Sequence, residues 1–311
     1  MVHGPSAMDF KMKKHLLLTG GTGLIGSSLT RQLLDKGYTV SHLSRSHGKD
    51  PRVKTFLWDV HKGQIDEHCI DGVDMIIHLA GAAIAENRWT AERKKEMIES
   101  RSKSIQLIYS LLKTKKHRVK SVISASAIGY YSDRGEELMT EESPPFIDFM
   151  AGCCVEWEAA VDEGKQLGLR IAKFRTGVVL DEGGALPKMA LPVKLYVGAP
   201  LGSGRQWIPW IHVQDVIGMY LFAIENEHFE GVYNMVAPNP VTNKQLTQAI
   251  AKQLHKPLWL PNVPAFLLKL LLGEMNTIVL GSTKVSAKKI EATGYKFVYP
   301  EVSQALKAIY G

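Results

Sequence analysis

Two clusters in this sequence carry groups that could act on a bound molecule. Ser124, Ser126, Tyr130 and Tyr131 fall within one stretch of eight residues. A serine hydroxyl beside a phenol can polarise a carbonyl or pass it a proton. The same serines could equally satisfy local backbone groups. The second cluster is Thr19-Gly20-Gly21-Thr22-Gly23-Leu24-Ile25-Gly26. Glycine at every third position lets the backbone approach a phosphate with no Cβ in the way. The spacing is G-x-x-G-x-x-G rather than the usual G-x-G-x-x-G. Cys69 and the adjacent Cys153 and Cys154 form no spaced pair, so no metal site is expected.

The elements around the glycines decide what they can do. Residues 14–18 read as a buried strand, and Leu29, Leu33 and Leu34 mark one face of a helix ending near Lys36 and Gly37. A strand, a glycine turn and a helix N-terminus form an anion cradle, and a dinucleotide pyrophosphate suits it. Gly20, Thr22, Gly23, Leu24, Ile25 and Gly26 are its expected contacts. A second strand over 38–43 ends at Ser44 and Arg45, and no Asp or Glu follows until Asp50. A carboxylate there would take the ribose hydroxyls, whereas arginine accommodates a 2′-phosphate. The expected cofactor is therefore NADP rather than NAD, with Arg45 as an exposed loop residue the plainer alternative.

Further strands are expected over 55–58, 73–79, 119–123 and 169–175, alternating with helices over 92–112 and 151–167. Asp59, at the tip of its strand, could meet the adenine amino group or serve a turn. On the helix over 92–112, Glu96 could reach a hydroxyl and Arg101 a phosphate, or both could be ordinary surface ion-pair members. A Gly/Pro-rich loop over 198–204 precedes Trp207 and Trp210, and this dense run suits a substrate cleft or a core. Alternating strands and helices give an α/β class with a doubly wound parallel sheet. The boundaries are a leader or disordered segment over 1–12, a dinucleotide-binding domain with substrate-cleft insertions over 13–255, and a small C-terminal lobe over 256–311.

Bulk properties narrow the partners. A net charge of +7 fits an anionic ligand, but the basic residues are scattered and lack interleaved aromatics, so nucleic acid is not expected. Three cysteines make no disulfide framework, which points to a reducing, cytoplasmic setting. The most apolar stretch, residues 263–272, is interrupted by Lys269 and too short to span a bilayer, so no membrane partner is expected.

The order of these landmarks resembles the extended short-chain dehydrogenase/reductase family over nearly the whole chain. The landmarks are the glycine run, His78-Leu79-Ala80-Gly81, Ser124-Ala125-Ser126, Phe174-Arg175-Thr176-Gly177-Val178 and Trp210-Ile211-His212-Val213-Gln214-Asp215. The chain is more similar to an atypical, sugar-nucleotide epimerase-like branch with a C-terminal domain of unknown function. The resemblance implies a Rossmann-type sheet and a nicotinamide cofactor lined by Leu79, Ala80, Gly81, Thr176 and Gly177. It also implies a catalytic Tyr-x-x-x-Lys on the helix after Ser126. Anchored on Glu158, that pair falls on Met150 and Cys154, and a shift of two places gives Asp148 and Gly152.

A thioether cannot carry a proton, and a positioned acid/base is worth about 10²–10⁴-fold in rate. Ser126, Tyr130 and Tyr131 are then the candidate catalytic groups, with Arg101 or Lys103 as the cation. The family's diphosphate-gripping arginine falls on Ile208, with Arg205 nearby. The expected function is an NADP-dependent epimerase or oxidoreductase acting on a small polar substrate, with nucleotide sugars among the candidates. The alternative is a non-catalytic NADP-binding redox sensor or regulator.

Overall fold

In the first strand, Leu16 and Leu18 turn to one side and Leu17 to the other, and all three are fully buried. Met75 and Ile77 repeat this against Ile76, as Ile123 does against Val122 and Phe174 against Ile171. Strands buried on both faces need helices on both faces. The computed structural model describes residues 14–85 and 88–311, so the expected leader lies outside the described residues.

The first half runs β1 (His15–Thr19), α1 (Leu24–Asp35), β2 (Thr39–Ser44), β3 (Lys54–Asp59), β4 (Gln64–Ile65), β5 (Met75–His78), α2 (Ala91–Thr114) and β6 (Ser121–Ala127). There follow β7 (Leu138–Met139), α3 (Phe149–Asp162), β8 (Arg170–Thr176), β9 (Val178–Leu180), α4 (Leu186–Lys194), β10 (Trp207–Ile208), β11 (Trp210–His212), α5 (Val213–Glu225) and β12 (Gly231–Met235). The remainder comprises β13 (Val241–Thr242), α6 (Asn243–Gln253), α7 (Ala265–Leu272), α8 (Asn276–Leu280), β14 (Lys284–Val285), α9 (Lys288–Ala292) and α10 (Val302–Tyr310).

The main sheet has the order β12-β8-β6-β5-β1-β2-β3-β4, parallel throughout except where β3 meets β4. Strand order reverses between β1 and β5, which opens the ligand crevice of such sheets at the C-terminal ends of those strands. Leu29 and Leu33 of α1 share a core with Val216, Met219 and Tyr220 of α5 on one face. Ile105 and Ile108 of α2 share another with Trp157 and Val161 of α3 on the opposite face. The fold is a Rossmann-type doubly wound sheet with a smaller C-terminal region.

That region is tied into the main body. Its β14 pairs with β7, and Val285, Ile290 and Tyr295 join the α1–α5 core. Asp215, fully buried at the start of α5, accepts the N–H groups of Val298 and Tyr299 at 2.8 and 2.9 Å. Ala305 and Leu306 of α10 join α4, α6 and Trp210 in a third cluster. Trp210 is thus a core residue, its Nε1 donating to the Asn239 carbonyl at 3.0 Å, and only Trp207 of the two faces a cleft.

Candidate functional site

The glycine turn is built by close approach. Gly20 has φ +67°, and a Cβ there would lie 2.9 Å from the Leu79 carbonyl. A Cβ on Gly26 would lie 2.2 Å from the Gly20 carbonyl oxygen, so the first turn of α1 sits directly on the loop. Gly23 caps α1 with no side-chain cap, and no acidic residue occupies the first turn. The helix N–H groups beyond it therefore face the crevice with Leu24 and Ile25 and suit an anion. Thr22 is exposed at the same turn. The fully buried Thr19 fixes the crevice wall, its Oγ1 accepting the N–H groups of Leu79 and Ala80, both at 3.1 Å. These residues fit a dinucleotide diphosphate.

At the end of β2, Ser44 is half-buried and Arg45 exposed, and the next carboxylate in sequence is Asp50. Asp50 is occupied by Arg52 through bonds of 3.0 and 2.8 Å. Asp59 takes the second of its two expected roles, the turn. Its Oδ1 accepts the Lys62 N–H at 3.1 Å, and the Lys62 ammonium lies 3.6 Å from Oδ2, so the carboxylate closes a turn.

Glu96 takes its expected alternative as an ion-pair member, while Arg101 turns inward. Glu96 accepts from Arg93 at 2.6 Å. Arg101 is buried and donates to the carbonyls of Met97 and Ala82 at 2.7 and 2.9 Å, with its guanidinium over the Trp157 ring. A Cβ on Gly81 would lie 3.0 Å from its Cζ, so Arg101 supports the loop after β5 from beneath. Lys103 is paired with Glu99 at 2.7 Å.

Two of the three expected catalytic groups, Ser126 and Tyr131, belong to a buried polar network, and the half-buried Tyr130 stacks on it. Ser126, 3% exposed, donates to Glu158 at 2.7 Å. Glu158 also takes two bonds from Arg175, at 2.8 and 3.0 Å. Arg175 donates to the Tyr131 hydroxyl at 2.9 Å, and that hydroxyl donates to Asn234 at 2.7 Å. Tyr131 is fully buried, and burial pushes its phenol up to about 12. Tyr130 lies flat under Arg175, its ring centroid 3.4 Å from the guanidinium carbon. Lys173 extends the network to Asp162 at 2.8 Å. A neutral buried phenol and a serine committed to a carboxylate are poor proton carriers for a bound molecule. Their side chains hold β6, β8 and α3 together.

A cavity of about 290 Å³ opens beyond these residues, at the ends of β6 and β8. Ala127, Gly129, Met150, Thr176, Gly177 and Ser132 are among its lining, which contains no charged side chain among the described residues. Ile208 lines it too. Met150 lies against Gly129, whose Cβ would stand 3.1 Å from its Cε. Cys154, one turn on, points its Sγ at the Ala127 carbonyl, 3.6 Å away, and burial pushes its thiol up to about 12. Neither supplies a proton or a cation.

The sequence reading passed over Ser132 and the carboxylate behind it. Ser132 has φ +51°, a conformation non-glycine residues seldom adopt. Its Oγ donates to Asp148 Oδ2, while Asp148 Oδ1 caps α3 by accepting the Ala151 N–H at 2.8 Å. The available signal was Asp148 itself, three residues before Ala151 at the start of an apolar helix.

His78, at the tip of β5, is fully buried between Ser124 and Ser104, with ring-nitrogen contacts of 3.1 and 2.8 Å. Burial depresses its pKa to about 3. The unfolded chain then binds a proton below about pH 6.5 that the native state refuses, so stability falls as pH drops from 6.5 towards 3. The loss from this group is at most about 1.4 kcal/mol per pH unit. Urea midpoints measured from pH 7 to 4.5 should fall more steeply for the natural protein than for His78→Asn. Parallel curves would remove His78 from the acid response.

Two family models match the chain: the NAD dependent epimerase/dehydratase family over residues 16–152 and a domain of unknown function over 263–309. An epimerase family protein of Staphylococcus epidermidis is 36% identical over 300 residues, covering 94% of this chain and 98% of that protein. The Bacillus subtilis epimerase family protein YfhF is 36% identical over 297 residues, covering 95% and 97%. The crystal structure of human epimerase family protein SDR39U1 with NADPH matches with TM-score 0.83 at 32% identity, over 95% of this chain and 99% of that one. A Bacillus cereus UDP-glucuronic acid 4-epimerase bound to its sugar nucleotide and NAD shares the fold at TM-score 0.76, with 17% identity over 95% and 98% of the chains. No helix among the described residues is long and apolar enough to cross a membrane. With its glycine cradle, its doubly wound sheet and its C-terminal region all matched, the chain belongs to the NAD-dependent epimerase/dehydratase family and carries that domain of unknown function after the epimerase fold.

Proposed function

We propose that the protein is an NADP-dependent oxidoreductase or epimerase that works on a small, uncharged polar group held in the cavity beside β6 and β8. The observation that carries this reading is the glycine cradle, where Gly20 and Gly26 leave no room for a Cβ and α1 presents an uncapped N-terminus. Gly20, Thr22, Gly23 and the first residues of α1 hold the diphosphate. Ser44 and Arg45 hold the 2′-phosphate, and the human relative's NADPH agrees with that preference. Leu79, Ala80, Gly81, Thr176 and Gly177 flank the nicotinamide half. The bound cofactor supplies or accepts hydride.

Ser132 is the hydroxyl that meets a substrate oxygen, and Asp148 takes its proton as the substrate gives one up. The uncharged lining favours carbonyl or hydroxyl groups over a diphosphate, so a nucleotide sugar would have to place its phosphates outside the cavity. The same lining favours a second reading, a non-catalytic NADP-binding regulator, because no titratable side chain among the described residues faces the cavity directly.

Fluorescence titration with NADPH and NADH, followed by a turnover screen over carbonyl compounds and sugar nucleotides, separates the readings. Arg45→Ala should weaken NADPH binding about tenfold or more, the worth of one charge-assisted contact, and leave NADH unchanged. An equal effect on both cofactors would remove the 2′-phosphate role. Tight NADPH binding with no oxidation across the screen would select the regulator.

A further inference from the structure

The eight residues of α7, Ala265–Leu272, are apolar apart from Lys269, yet only Leu268 is buried. Phe266 is 74% exposed, Leu270 76% and Leu271 61%. A helix apolar on nearly every side belongs in an apolar environment, and the described residues do not provide one. The surface continues beyond the helix. Val263 pairs with the 200–202 strand segment through bonds of 2.8 and 2.9 Å, which lays residues 195–202 beside residues 259–263. Trp259 is exposed and donates its Nε1 to the Tyr196 carbonyl at 3.0 Å, next to the equally exposed Leu195 and Val197.

The charges on these segments have one sign. Residues 186–205 and 255–272 contain Lys188, Lys194, Arg205, Lys256 and Lys269 and no Asp or Glu. Lys256 lies over the Tyr196 ring, 4.1 Å from its centroid, among the apolar side chains. A second copy of this chain would bring like charges together, which disfavours self-association. Leucine and phenylalanine that project outward, aromatic rings with polar edges, and lysines whose stems cover apolar surface are what an anionic bilayer interface accepts.

We propose that α7, with Trp259 and the 195–197 segment, docks the protein onto a membrane surface carrying anionic phospholipid headgroups. At about 1.5 Å per residue the helix is about 12 Å long, so it lies in the interface and does not cross. This arrangement is distinct from the span that the sequence excluded. Phe266, Leu270 and Leu271 enter the acyl boundary, and Lys256 and Lys269 meet the headgroups.

The test is flotation of the full chain with vesicles of phosphatidylcholine containing about 30% phosphatidylglycerol, against phosphatidylcholine alone. The protein should float with the mixed vesicles and release as salt rises, and it should bind the neutral ones at least about tenfold more weakly. Phe266→Ser/Leu270→Ser should lose about tenfold or more of the mixed-vesicle binding while its NADPH titration and melting temperature stay unchanged. No flotation, equal binding to both vesicles, or full binding by the variant overturns the proposal. Self-association by sedimentation that the variant abolishes, with no vesicle binding, overturns it and assigns the face to a second copy. Stoichiometric binding of an acidic protein without vesicle binding overturns it in favour of a protein partner.

Discussion

Gly26→Ala should weaken NADPH binding by about 10–100-fold, whereas Gly23→Ala should change it by less than about threefold. The two positions lie three residues apart in the same turn, and space separates them. A methyl group on Gly26 meets the Gly20 carbonyl oxygen at 2.2 Å and the Gly21 Cα at 2.7 Å. Both atoms are backbone, so α1 has to move off the loop, carrying its N-terminal N–H groups with it. Overpacking of this kind costs about 1–3 kcal/mol, and each 1.4 kcal/mol is about tenfold in affinity. A methyl on Gly23 meets only the Gly20 oxygen, at 3.3 Å, and its φ of −76° is open to any residue. Fluorescence titration of the two variants gives the comparison. Equal losses would mean that the loop yields at both places and that packing against α1 does not set the cradle.

The second large effect is on stability. Glu158→Ala should cost about 3–5 kcal/mol, because it strands a buried cation without its partner. Glu158 is 6% exposed and Arg175 is 3% exposed. The carboxylate takes both guanidinium bonds, the Ser126 hydroxyl, and a longer approach from Lys173 at 3.7 Å. Urea unfolding at neutral pH measures the loss, and the double variant Glu158→Leu/Arg175→Met should lose markedly less, since it removes both charges. NADPH affinity of the folded single variant should stay close to that of the natural protein. If Glu158→Ala left the urea midpoint in place and abolished cofactor binding or turnover, the network would belong to the chemistry and Ser126 would return as a catalytic group.

The scaffold was legible because its signals are local. Leu16, Leu17 and Leu18 are buried whichever way they point, and a glycine turn after such a strand has few uses. The resemblance added the order of the strands, which periodicity alone does not supply. The short β4 escaped notice because two residues carry no period. The surroundings of the expected catalytic groups were not legible, for a physical reason. Ser126, Tyr130 and Tyr131 look free when read one by one, and their partners Glu158, Arg175 and Asn234 are 32 to 103 residues away. Arg101 shows the same limit, since nothing in its neighbours in sequence shows that its guanidinium turns in towards Ala82. Ser132 escaped because its significance lies in a backbone angle and in a carboxylate on another element.

All three thiols of the molecule are shut away. Cys69 is fully buried, and Cys153 and Cys154 are 3% and 2% exposed. Desolvation holds each of them in the protonated form, which does not attack the sulfur of a disulfide reagent. Labelling by such a reagent therefore has to wait for the structure to open, and its rate becomes a clock for that opening. The clock has two hands. Cys69 reads the core between β5 and α2, while Cys154 reads the second turn of α3 behind Met150. A compound that settles in the cavity and pins α3 would slow the second without touching the first. The protein thus carries its own occupancy signal, one that needs neither a chromophore nor a known reaction.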